Sequence, residues 1–583
     1  MLLLLLLLAL APACLAVSVS RVESGDYGPV TAYAPPPVGP SANLIVNDVI
    51  VAPDGFVRPA TVVNGGTPGP LIKINKNDPI KINVINNLTN PNLAEVTSVH
   101  WHGIFEHGRQ WADGVAFVTQ CPIIPNDAFT YKLNATGQTG TYWYHSHYSV
   151  QYCDGLRGPL VIYDPEDPYA DMYDVDDEST VITIADWYHQ PANLLNATFG
   201  AVLPDATLIN GKGRYWNSTS DVDLGVIEVE QGKSYRFRIV GMQCNLYFNF
   251  TIAGHKMTVI ETDGIEIDPV EVDSISVFAA QRYSVVVTAN QPIDNYWIRL
   301  TSENTTSTFI NGMNSAIFRY KGAPDADPTN STVTSTTPLI DSNIHPLINP
   351  GAPGVHEIGQ ADVNINLDLG FNLTNTVNPY FFINNVTFFN PDVPVLLQIL
   401  NGAVHPSQLL PKGSVYELLR NKVIELSLPV SSTANAAGAP HPFHLHGHVF
   451  DVIRAPGNST PNFVNPPRRD VISTGTLGDN VTIRFVTDNS GPWFLHCHID
   501  WHLSHGFAVV MAENPPATAA HRNDIPTSWN ELCPDYNAFI AADPDNGRLL
   551  SHEFGMLPST EEQVILSLPE SHMRFGHHGL DPF

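Results

Sequence analysis

Apolar and polar residues alternate over short runs along much of the chain, as at Ile80, Ile82 and Val84, at Tyr235, Phe237 and Ile239, and at Val481, Ile483 and Phe485. A period of two puts such residues on one face of an extended strand. Gly and Pro, 41 and 48 of them, punctuate the intervals, and long amphipathic helical patterns are scarce. The pattern predicts an all-β protein of sandwiches or barrels rather than an α/β fold. Apolar residues give way to Pro, Asp, Ser and Thr at 163–169 (YDPEDPY) and at 321–338, which read as joints. A chain of 583 residues is too long for one core. The expected segments are a leader at 1–20, β-domains at 21–165, 166–338 and 339–538, and a C-terminal extension at 539–583.

The Leu-rich run Met1 to Ala16 reads as a secretory signal peptide, and no other stretch is apolar for long enough to cross a bilayer. Eleven Asn-X-Ser/Thr sequons between Asn87 and Asn480 fit a secreted glycoprotein with many surface turns. With 28 basic against 57 acidic residues, the formal charge of -29 argues against nucleic acid or an anionic membrane as partner. Six cysteines are present. Cys14 leaves with the leader and Cys497 sits among histidines. The other four, Cys121, Cys153, Cys244 and Cys533, allow two disulfides in an oxidising compartment, with three connectivities that spacing does not separate.

The histidines supply the chemistry. His100 and His102 stand in HWHG, and His145 and His147 in YWYHSH. His441, His444 and His446 stand in HPFHLHGH, and His496, Cys497, His498 and His502 in HCHIDWH. An H-x-H pair on a strand turns both imidazoles to one face, where they can share a metal or serve two adjacent ones. The arrangement occurs once near each end of the chain, which reads as an internal duplication. Ser146 separates the pair in the first copy and Cys497 in the last, so only the last domain can offer a thiolate. Thiolate beside imidazole favours copper over magnesium, calcium or manganese. The middle domain has His189 and His255 but no such pair.

These four segments, in this order, resemble the copper-binding segments of the blue multicopper oxidases. The flanking text WADGVAFVTQCPI, QYCDGLRGPLVIYDP, DATLINGKGR and RFVTDNSGPWFLHCHI is similar to basidiomycete laccases as far as about Tyr536. The resemblance implies three consecutive cupredoxin-like domains and four copper ions. His441, Cys497 and His502 would hold the type 1 ion, and His100 and His444 the type 2 ion. His102, His145, His147, His446, His496 and His498 would hold the type 3 pair. It implies phenols or aromatic amines as one-electron donors, dioxygen as acceptor, and a secreted monomer. Lignin-derived phenols, pigments and host defence compounds share the electron-rich ring such a site takes.

The same resemblance puts Phe507 at the axial position of the type 1 ion and Ile499 opposite it. Neither can coordinate, which favours the reduced ion and a high potential. Asp113 and Asp470 match positions of proton delivery, whereas Asp500 is expected to support a ligand or be solvated. Asn245 stands where an acidic residue often orients the donor, and an amide accepts a hydrogen bond without acting as a base. The implied disulfides are Cys121 with Cys533 and Cys153 with Cys244. Another multicopper oxidase, a ferroxidase or an ascorbate oxidase, is the alternative within enzymes. A non-catalytic copper-binding glycoprotein is the alternative outside them.

Overall fold

The computed structural model describes residues 34–542 apart from 197–201, 219–221, 246, 302–308, 330–334, 373–379 and 431–439. The leader expected at 1–20 and residues 543–583 lie outside the described residues. The chain is all-β and folds into three sandwiches in sequence. The first packs a four-stranded sheet built around Ser41–Val51 on another built around Gly140–Ser146. The middle one pairs six- and five-stranded sheets, and the last pairs two five-stranded sheets. The first sandwich's last strand is Arg157–Tyr163 and the middle one's is Ser315–Tyr320, so both joint stretches follow sheet ends.

Strand Ile80–Asn87 follows its sequence pattern, with Ile80, Ile82 and Val84 buried and Lys81 exposed. Two other alternating strands differ. In Ser234–Gly241 and Asn480–Val486 the polar positions are buried as well, because a second layer covers that face. Those positions carry arginines with carboxylate partners. Arg236 pairs with Glu261 at 2.7 Å and with Asp167, Arg238 with Asp176 at 2.6 Å, and Arg484 with Glu425 at 2.7 Å. A buried charge is tolerated only when paired, and removing one partner costs roughly 3–5 kcal/mol. Glu261 also accepts the backbone N–H of Thr141, 2.7 Å away, and so joins the middle sandwich to the first.

Two disulfides make further ties, Cys121 to Cys533 and Cys153 to Cys244. Helix Thr527–Ala542 lies back on the first sandwich, with Trp529 Nε1 donating to Thr119 O at 3.1 Å and Tyr536 against Phe117. It runs past 538, so the boundary expected there would cut a helix. Not every sequon is on the surface. Asn196 is buried and accepts the Ser504 hydroxyl at 2.6 Å.

Candidate metal centres

Strand pairing aligns the histidine motifs. Val99–His102 runs antiparallel to Gly140–Ser146, with His100 opposite His145. Pro442–Leu445 runs antiparallel to Gly491–Cys497, with His444 opposite His496 and Phe443 opposite Cys497. The glycine closing each H-x-H-G has a local cause. Gly103 has φ +90°, and a Cβ there would meet Arg282 Nη2 at 2.6 Å and Asp470 Oδ2 at 2.9 Å. Gly447 has φ +69° and lies against the Trp493 ring. Only glycine accepts both the backbone angle and the contact.

Eight buried histidines converge between the first and last sandwiches: His100, His102, His145, His147, His444, His446, His496 and His498. Ligand atoms lie within 4.8 Å of one another in several of their triplets, including His100 with His444 and His446, and His147 with His446 and His496. Main-chain carbonyls fix several rings. Nδ1 of His100 faces Asp113 O at 2.7 Å, Nδ1 of His444 faces Asp470 O at 2.9 Å, and Nδ1 of His496 faces Cys497 O at 3.0 Å. His446 Nδ1 faces the Asp113 carboxylate at 3.0 Å. A ring whose Nδ1–H is donated keeps its lone pair on Nε2, which turns inward.

Those inward nitrogens have no hydrogen-bond partner. Nε2 of His100, His145, His147, His444 and His498 is buried without one. Nε2 of His446 and His496 face each other at 3.1 Å with both Nδ1 atoms already engaged. Unpartnered buried acceptors cost energy, and a shared cation removes that cost. Burial, and then the neighbouring imidazoles, hold His102, His145, His147, His444, His446 and His498 well below the usual histidine range, and burial pushes His496 down to about 3. The rings are neutral and fit for ligation, so the donor set suits copper.

The second cluster lies inside the last sandwich. Cys497 Sγ is 3.7 Å from Nδ1 of both His441 and His502, and those two nitrogens are 3.2 Å apart. Burial pushes the Cys497 thiol well above its ordinary range, and a bound cation overcomes that by taking the thiolate directly. Phe507 closes one side, stacked on Phe381 at 4.7 Å and edge-on to His441 at 5.1 Å. Ile499 is buried just ahead of helix Asp500–Leu503, which carries His502. His502 itself is half-buried.

Other expected residues fall as follows. Asp470 is buried and gripped by both Arg282 Nη atoms at 2.6 and 2.7 Å, with Oδ1 3.5 Å from His102 Nε2. Burial outweighs the Arg282 charge and holds its carboxyl above the usual range. Asn245 donates its side-chain amide to Val202 O at 2.7 Å. Asp500 is buried rather than solvated, its N–H donating to Cys244 O at 3.0 Å. Sequence reasoning missed Arg282, which reaches the eight-histidine cluster from the middle sandwich; nothing in its local sequence, AAQRYS, marks it. Missed too was Tyr152, whose hydroxyl lies 3.5 Å from His498 Nδ1. His448, the last histidine of HPFHLHGH, instead pairs with Glu513 at 3.0 Å.

Sequence profiles of the multicopper oxidase family match residues 46–167, 178–323 and 388–517. The chain belongs to the multicopper oxidases. Laccase-4 of Trametes villosa is 53% identical over 509 residues, covering 87% of this chain and 95% of that protein. Among solved structures, a laccase from Botrytis aclada aligns with a TM-score of 0.74 at 32% identity, covering 88% of this chain and 93% of that one. Fet3p, a multicopper oxidase that functions in iron import, aligns at 0.75 with 28% identity, covering 87% and 95%. Within the multicopper oxidases the function is that of a laccase, an enzyme, and membership implies copper. Each sandwich is a cupredoxin-like domain. Among the described residues no helix is long and apolar enough to cross a membrane.

Proposed function

We propose that this multicopper oxidase is a secreted laccase that oxidises phenols and aromatic amines with four copper ions. His441, Cys497 and His502 hold the type 1 ion, His100 and His444 the type 2 ion, and His102, His145, His147, His446, His496 and His498 the type 3 pair. When bound, the copper supplies the one-electron chemistry that couples four donor oxidations to reduction of one dioxygen to two waters. One observation carries the reading: Cys497 points into the three-residue cluster while its covalent neighbours His496 and His498 point into the eight-histidine cluster. The chain itself joins the two sites.

The half-buried His502 edge is where a donor ring meets the protein, with Asn245 on the loop beside it. Four protons are needed per dioxygen, and we assign their delivery to Asp113 and Asp470, supported by the contacts of Asp113 with His446 and of Asp470 with His102. A cavity of about 30 Å³ reaches His147 between Val115, Phe388, Phe494 and Leu503, room for a molecule the size of dioxygen or water. Phe507 offers no ligating atom, which would favour the reduced form of a copper held by His441, Cys497 and His502 and so a high potential. The domains run 21–165, 166–338 and from 339 to the end of helix Thr527–Ala542.

Oxygen uptake by the copper-loaded protein with a simple phenol, with Fe(II) and with ascorbate tests the reading, alongside optical and EPR spectra. Rapid uptake with the phenol and an intense blue band are expected. Preference for Fe(II) would assign a ferroxidase instead, and absence of the blue band would refute the type 1 assignment.

A further inference from the structure

The loop carrying Cys244 and Asn245 is joined to the helix carrying His502 by a closed ring of hydrogen bonds, made by residues outside both metal clusters. Asp186, fully buried at the end of strand Val181–Trp187, is its hub. Its carboxylate accepts the backbone N–H groups of Cys244 at 3.0 Å and Asn245 at 2.9 Å, and the Tyr188 hydroxyl at 2.8 Å. Tyr188 in turn accepts the Trp501 indole N–H at 3.3 Å, its ring edge-on to Trp501 at 5.2 Å. Trp501 immediately precedes His502 on the helix. The ring closes where Asp500 N–H donates to Cys244 O at 3.0 Å. Arg157 balances the buried charge, 3.5 Å from Asp186 and donating to Met242 O at 2.6 Å.

A loop resting on the helix through apolar contact alone can slide. Hydrogen bonds to a buried carboxylate are directional, and a buried donor that loses its partner is penalised. The ring therefore fixes the distance between the Asn245 loop and the His502 edge, the two sides between which a donor would lie.

We infer that Asp186 and Tyr188 are positioning residues for the organic donor, setting the width of its site by locking the 242–245 loop to the helix of His502. This rests on the reading of His502 as the point of electron entry.

Tyr188→Phe in the copper-loaded full chain tests it, since the ring is kept and only the hydroxyl is lost. The phenol KM is expected to rise roughly three- to tenfold, about what one neutral hydrogen bond contributes. The phenol kcat, the oxygen KM and the blue band are expected to stay unchanged, and the peptide spanning 242–245 to exchange its amide hydrogens faster. Asp186→Asn should accelerate that exchange further. An unchanged phenol KM, or a loss of kcat and blue colour together, would overturn the inference, the latter marking a purely structural ring. If the parent protein consumes no oxygen with phenols, the functional reading fails instead, and unchanged exchange in both variants would still remove the ring on its own.

Discussion

The two metal clusters are built on different principles. The cluster of His441, Cys497 and His502 lies within one sandwich, two of its residues five apart and flanked by apolar rings. The eight-histidine cluster exists only where the first and last sandwiches meet, and Asp113, Asp470 and the middle sandwich's Arg282 support it. The first is a pocket made by local sequence. The second depends on how whole sandwiches are docked, so damage far away in the chain should reach it while leaving the first intact.

The strongest break in that comparison is Cys497→Ser. It removes the sulfur ligand from the three-residue cluster, so the blue band and phenol-driven oxygen uptake should both fall to background. The histidines between the sandwiches are untouched and should still take up copper, read by metal analysis and EPR. Loss of copper from both clusters would mean that they are not independently built.

Arg282→Ala should do the reverse. It leaves the buried carboxylate of Asp470 without its guanidinium, at a cost of roughly 3–5 kcal/mol, while Asp263 keeps Arg469 at 3.0 Å. Copper bound between the sandwiches and thermal stability should both drop while the blue band persists. Arg282→Lys should fall between, because an ammonium keeps the charge but not the two-pronged grip. A blue band lost in step with the other copper would show that the single-sandwich pocket also depends on docking.

This contrast governs what could be read from sequence. The eight paired histidines and Cys497 announce themselves, because H-x-H and H-C-H are local patterns whose alternate residues a strand turns to one face, whereas the roles of His441 and His502 came with the resemblance. Resemblance supplied both disulfide pairings. Arg282 stayed hidden because its partner Asp470 is 188 residues away. Arg236, Arg238 and Arg484 occupy polar positions of alternating strands, and only a second covering layer turns those positions into buried ion pairs. For Asp500 the sequence left two readings open, supporting a ligand or solvated, and only its burial, with its N–H on the Cys244 carbonyl of another sandwich, removes the second.

Phe507→Met sharpens the single-sandwich side. The swap nearly conserves volume, so stability should change by less than about 1.5 kcal/mol. A thioether beside Cys497 offers a weak axial ligand, which stabilises the oxidised ion and lowers the potential in a redox titration. Phenol kcat should fall with it. An unchanged potential would mean that residue 507 does not face the ion.

The smallest effect on activity concerns Asp451, on the other sheet of the last sandwich, where burial outweighs the Arg468 charge 2.9 Å away and pushes the carboxyl up to about 6. The unfolded chain titrates near the ordinary aspartate value of about 3.9. Between those values the native state binds more protons than the unfolded one. Asp451 therefore adds stability that is fully present below about pH 4 and lost as pH rises through about 6, on the order of 3 kcal/mol. Asp451→Asn should flatten this part of the denaturation profile between pH 4 and pH 6 while the pH dependence of phenol oxidation stays in place. If the activity profile moved as well, titration on the far sheet would be felt at the metal clusters, and the independence of the single-sandwich pocket would be lost.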